Sequence, residues 1–169
     1  MGVAARNPRT VPTTPPFRSA AFLLSTLGFT VSRRFHEMLG PLELEPGEFA
    51  LLRAVAANEG EPQNALAERL HISPSWMVAI VDQLERRGLL ERTPHARDRR
   101  VRHLHLTAAG KKLLKQAERR AQQFDRQVTD PLTEAELQQL LELLQRVAAG
   151  LDLQPGAAHA ALRERASAP

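Results

Sequence analysis

Five arginines (Arg92, Arg97, Arg99, Arg100 and Arg102) crowd the stretch from Arg92 to His103, against one carboxylate, Asp98. The stretch carries a net charge of +4, as much as the whole 169-residue chain. Cations at this density neutralise phosphates or an acidic surface. Upstream stands Ser73-Pro74-Ser75-Trp76, with two hydroxyls and the only Trp of the chain. Hydroxyls and backbone N–H groups at a helix start can meet phosphates or base edges. Trp76 either faces a nucleic-acid groove, touching a sugar or a thymine methyl, or packs against a neighbouring helix.

Other reactive residues suggest less. His103 and His105 lie two apart on one strand face, a spacing open to a metal. The chain has no Cys, and local spacing places no carboxylate beside them, so structural or solvated histidines are the preferred reading. His36-Glu37 reads as helix surface for the same reason. Arg33, Arg34 and His36 read as exposed cations, with an anion-binding role as the alternative. The lack of Cys excludes disulfides, thiolate nucleophiles and thiol redox sensing. None of G-x-S-x-G, H-E-x-x-H, G-x-x-x-x-G-K or G-x-G-x-x-G occurs. No catalytic residue, cofactor or metal ligand is therefore expected, and the chain does not read as an enzyme.

These residues need a frame. Hydrophobic residues make up 43% of the chain and aromatics only 4%, which favours a helical core of Leu, Val and Ala. The most apolar segment, Ala20 to Val31, is too short to span a bilayer. It resembles the apolar part of a signal peptide, but it has no clear cleavage site and its periodicity continues into SRRFHEML. A cytoplasmic protein without membrane contact is expected.

Residues 1–16, with four prolines and two arginines, predict a flexible basic arm. Leu24, Leu27, Val31, Phe35 and Met38 line one face of a first helix from about Phe17, stopped by Gly40-Pro41. A second helix starts near Pro46, a favoured first-turn residue, and ends at Asn58-Glu59-Gly60-Glu61-Pro62. Gln63 to Leu70 form a short helix. Ser73-Pro74 then starts another, buried through Met77, Ile80, Val81 and Leu84 and ended by Gly88. Leu89 to Pro94 and Arg100 to Thr107 alternate as two strands, with His95 to Asp98 at the hairpin tip. A long helix runs from about Thr107 to Val128. Thr133-x-x-Glu136 then predicts a capping box for a last helix, expected to bury Leu137, Leu140, Leu141, Leu144 and Val147.

Two short helices joined by a tight turn and followed by a basic hairpin make a winged helix-turn-helix. The second helix suits a major groove, where each base pair shows its own edge pattern. An arginine-rich tip suits an adjacent minor groove, where negative potential is focused. The fold class is mainly α, a winged helix-turn-helix with N- and C-terminal dimerisation helices. Two apolar helices flanking a complete winged domain bury more comfortably against a second copy than in a monomer. The segments are residues 1–16 (arm), 17–45 (N-terminal dimerisation helix), 46–107 (DNA-binding domain), 108–152 (long helix and C-terminal dimerisation helix) and 153–169 (tail).

The stretch LAERLHISPSWMVAIVDQLERRGLLER, followed by Asp98-x-Arg100 and by Leu104-x-Leu106-Thr107-x-x-Gly110, resembles the MarR family of bacterial transcriptional regulators. The similarity extends over about Phe17 to Leu151. It implies a homodimer whose terminal helices build the interface, and a long helix linking that interface to the DNA-binding lobe. It further implies a repressor of nearby genes that leaves double-stranded DNA when a small-molecule effector binds. Matched residue by residue, Arg100 takes the place of the wing-tip arginine and Asp98 that of the acid orienting it. The recognition helix falls on Ser73 to Arg87, with Ser73 and Ser75 at its N-terminal end. Trp76 and Ala79 depart from the Ser, Thr or Arg frequent there in relatives, so no operator sequence transfers. The expected DNA contacts are Ser73, Ser75, Trp76, Arg97, Asp98, Arg99 and Arg100. The effector and its pocket are not legible. The alternative is a winged-helix module for a protein partner, using its basic wing on an acidic surface.

Overall fold

The structure is a computed structural model that describes residues 19–94 and 102–153. The expected arm, the wing tip with Arg97, Asp98, Arg99 and Arg100, and the tail from residue 154 lie outside the described residues. The chain divides into two units at the Arg34–Phe35 step.

Helix α1 (Ala20–Leu39) begins in the first unit and ends in the second. In the first unit Phe22, Leu23, Leu24, Leu27 and Phe29 are exposed. The second unit holds α2 (Pro46–Ala57), α3 (Gln63–Arg69), α4 (Pro74–Arg86), β1 (Leu90–Pro94), β2 (Arg102–Leu106), α5 (Ala108–Thr129) and α6 (Glu134–Gly150). Its elements begin where the local chemistry dictates. Pro46 opens α2, whose Glu45 N–H donates to the Glu48 carboxylate at 2.9 Å. Ser73 caps α4 through its hydroxyl, which accepts from the Trp76 N–H at 3.3 Å. Thr133 and Glu136 cap α6 reciprocally, at 2.8 and 3.3 Å.

Two close approaches join α4 to the strands and the strands to α5. Gly88 has a left-handed φ of 67° and donates its N–H to Glu85 O, which ends α4 and turns the chain into β1. Thr107 caps α5 by accepting from the Gly110 N–H at 3.0 Å, and its hydroxyl donates to Gly88 O at 2.6 Å. A Cβ on Gly110 would lie 2.0 Å from Leu89 O, so only glycine fits there. The Leu-Thr-x-x-Gly signature is thus a single joint between strand and helix.

The strands pair antiparallel, with Leu90 opposite Leu106 and Pro94 opposite Arg102. A third edge joins them where the sequence suggested only a break. Gly60 N–H donates to Leu104 O, Leu104 N–H donates to Glu61 O, and Pro62 bridges to His103. The core gathers Leu39 from α1, Leu51, Leu52 and Val55 from α2, Leu66 from α3, the α4 stripe, and Leu90 and Leu104 from the strands. Phe35 extends it, with its ring 5.8 Å from that of Phe49 and 5.9 Å from that of Phe124.

The expected burial of the outer stripes needs correction. Leu140, Leu141, Leu144 and Val147 of α6, Leu24 and Leu27 of α1, and Val128 of α5 are exposed in the single chain. Their spacing is helical and apolar, but none of the described elements covers them. No helix among the described residues is long and apolar enough to cross a membrane.

Candidate nucleic-acid interface

Helix α4 buries one stripe, Met77, Ile80, Val81 and Leu84, and leaves its other side in solvent. Exposed on that side are Ser75, Val78, Ala79, Asp82, Gln83 and Arg86. A helix with one stripe in the core and one free face is what a major groove accepts.

The candidate residues fall into three groups. Ser73 and Ser75 are exposed at the helix start, with their hydroxyls 3.3 Å apart. The Ser73 hydroxyl is engaged as the helix cap, so its acceptor capacity serves the fold first. Trp76 is half-buried and packs against the core. Of the two alternatives for this side chain, the structure favours internal packing. Arg97, Asp98, Arg99 and Arg100 are outside the described residues.

Arg92 behaves differently from its place in the basic cluster. Its guanidinium meets Asp82 and Glu85 of α4, each at 2.6 Å, and its Nε donates to the Gln63 side chain of α3 at 2.9 Å. Its backbone N–H also donates to Glu85, at 3.2 Å. The side chain is 17% exposed. Arg92 therefore fastens β1 to α4, and its charge is locally neutralised. Counting arginines missed this because the two acids lie on another element. The Glu85 to Arg92 separation across the Gly88 turn was the available signal.

Three further ion pairs hold the frame. Arg87, at the end of α4, donates to both oxygens of the Glu48 carboxylate at 3.0 Å. Glu48 is only 3% exposed, so this pair secures a buried charge at the start of α2. Arg69 of α3 holds Glu61 in two bonds, at 2.7 and 3.2 Å, and this contact raises the Arg69 pKa. The Glu61 carbonyl pairs with β2, so one residue ties α3 to the wing base. At the same base the Lys111 ammonium, 2.8 Å away, holds the Glu59 carboxyl below its ordinary range.

His103 donates from Nδ1 to the Gly60 carbonyl, which gives it a structural partner. Among the described residues no group of three His, Asp or Glu is disposed to hold a metal.

The MarR family model matches residues 44–101, from the start of α2 into the wing. An uncharacterised HTH-type transcriptional regulator of Bacillus subtilis, YpoP, is 30% identical over 62% of this chain and 74% of its own length. The chain belongs to the MarR family. A Thauera aromatica protein, named for transcriptional regulation of the hcr operon, is 35% identical over 60% of this MarR-family chain. The chain spans 61% of that relative's length. The structure of the transcriptional repressor CouR bound to a 23-mer DNA duplex matches with a TM-score of 0.71 and 29% identity. That match covers 82% of this chain and 98% of CouR. CouR of Rhodococcus jostii RHA1 has also been solved with p-coumaroyl-CoA. These likenesses agree with the winged helix-turn-helix built from the residues. The MarR family is one of transcriptional regulators, not of enzymes.

Proposed function

We propose that this protein is a ligand-responsive repressor that binds a pseudo-palindromic operator as a homodimer in the cytoplasm, without enzymatic activity. The observation that carries the reading is the free face of α4 held beside a wing strand by Arg92. A helix meant only to complete a core has no use for a strand fastened beside its exposed side. Two copies would set their recognition helices about 34–36 Å apart, one turn of DNA. Arg100, aided by Arg97 and Arg99 and oriented by Asp98, would enter the flanking minor groove.

The exposed apolar residues of α6 and those of α1 support a second copy as their cover. The repressor role and the response to a small molecule follow CouR, which is named a repressor and is known with both DNA and an acyl-CoA.

Fluorescence anisotropy tests the reading with DNA flanking this protein's own gene, against scrambled DNA, over a range of salt. Preference for the native fragment by about 10³-fold or more, with a steep salt slope, is the expected result. Arg100→Ala should cost about 1–3 kcal/mol of specific binding. Weak binding to both DNAs, insensitive to salt and to Arg100→Ala, would favour a protein partner instead.

A further inference from the structure

The first two turns of the free face of α4 carry no side chain for bidentate base reading. Bidentate recognition of guanine needs Arg or Lys, and that of adenine needs Asn or Gln. The exposed positions of the first two turns are Pro74, Ser75, Val78 and Ala79, and none of these is available. The next exposed residue, Asp82, is held by Arg92 at 2.6 Å. Trp76 is packed against the core. Gln83 and Arg86 come only in the later turns.

What remains is small and apolar. Val78 is 45% exposed, among the large hydrophobics that the second unit leaves in solvent. A β-branched residue is also a poor choice for a half-exposed helix position, where it gains less packing to offset its restricted rotamers. One feature of the major groove matches such a surface, the C5-methyl group of thymine.

We propose that Val78 and Ala79 read thymine methyl groups, so that each operator half-site presents thymines beneath the first two turns of α4. The inference rests on the DNA-binding reading above and adds the base and the atoms recognised. Specificity at these steps comes from burying a methyl group, with Ser75 as the neighbouring hydrogen-bonding group.

Deoxyuridine lacks only that methyl, which makes it the probe. The bound fragment is synthesised with dT replaced by dU one position at a time, symmetrically in both half-sites. Binding of the full chain is followed by anisotropy at fixed salt. Substitution at the critical step should weaken binding about fourfold per methyl, or roughly 15-fold for the symmetric pair. Val78→Ser and Ala79→Ser should each erase the dT-against-dU difference at one step and leave it at others. Both positions are exposed, so thermal melting should show the variants folded. Uniform binding to dT and dU fragments would overturn the proposal while leaving DNA binding intact. A difference that persists unchanged in both variants would also overturn it. Failure to bind any fragment selectively would instead overturn the function on which it rests.

Discussion

Helices α4 and α6 carry nearly the same pattern and have opposite fates. The apolar residues recur at spacings of three, one and three in α4, and at one, three and three in α6. In α4 the stripe Met77, Ile80, Val81 and Leu84 is 0–5% exposed. In α6 the stripe Leu140, Leu141, Leu144 and Val147 is 38–43% exposed. The difference lies in what surrounds them. Helix α4 is enclosed by α3, the strands and the core of α2, and pinned by Arg87 to Glu48 and by Arg92 to β1. Helix α6 has a good N-cap, and the described residues leave its stripe exposed. A periodic stripe therefore states that a helix needs a partner, but does not say whether the partner is in the same chain.

Four experiments would break or sharpen that contrast. Leu84→Ala empties a fully buried site and should cost about 2–5 kcal/mol, as large-to-small core changes do. The loss in thermal or urea melts should not depend on protein concentration. Leu141→Asp with Leu144→Asp should act differently. These changes should weaken self-association on the order of 100-fold or more, as for interface anchors of at least about 2 kcal/mol. Light scattering after size exclusion would then show monomers with unchanged near-UV ellipticity. If the double variant stays dimeric, the exposed α6 stripe is not the interface.

A smaller effect should appear at the turn between α3 and α4. His71 sits there at a left-handed φ of 53°, where L side chains pay a steric cost. His71→Gly should relieve it and raise the stability of the winged unit by about 1 kcal/mol, offset in part by glycine entropy. Denaturant midpoints at constant m would show it, and a fall in the midpoint would contradict it.

The smallest effect concerns the cap of α6. The Thr133 backbone N–H and hydroxyl hold the Glu136 carboxyl below its ordinary value. A carboxyl with a depressed folded pKa stabilises the fold above its unfolded pKa, and that contribution is lost as pH falls through the folded value. Helical ellipticity should decline on acidification from about pH 5 downward, near and below the ordinary glutamate value. Glu136→Gln should remove part of that dependence. An identical acid titration in the variant would show that the cap contributes nothing.

Much of this molecule was legible because the relevant interactions are local. Ser73 and Thr133 cap helices at the positions expected from side chains reaching only three residues ahead, and Thr107, expected only as the approximate start of α5, caps it in the same way. Gly88 closes α4 because only a residue tolerant of positive φ can turn the chain there. Alternation marked the hairpin, and its observed register places Leu104 and Leu106 inside. The wing arginines were legible as a charge count, which is why Arg92 was misread. Its partners Gln63, Asp82 and Glu85 stand on two other helices, and a count along the chain says nothing of charges across space.

Local spacing determined where each helix begins and ends, which stripe is apolar and where basic charge gathers, because capping, backbone sterics and periodicity act over a few residues. Tertiary structure alone decided that Asn58–Pro62 supplies a third edge to the wing, that Trp76 leans on the core, and that Arg92 is a clamp. It alone also decided that the α6 stripe finds no cover among the described residues. Each of these depends on which distant segments meet, and long-range contacts are settled by the packing of the whole core.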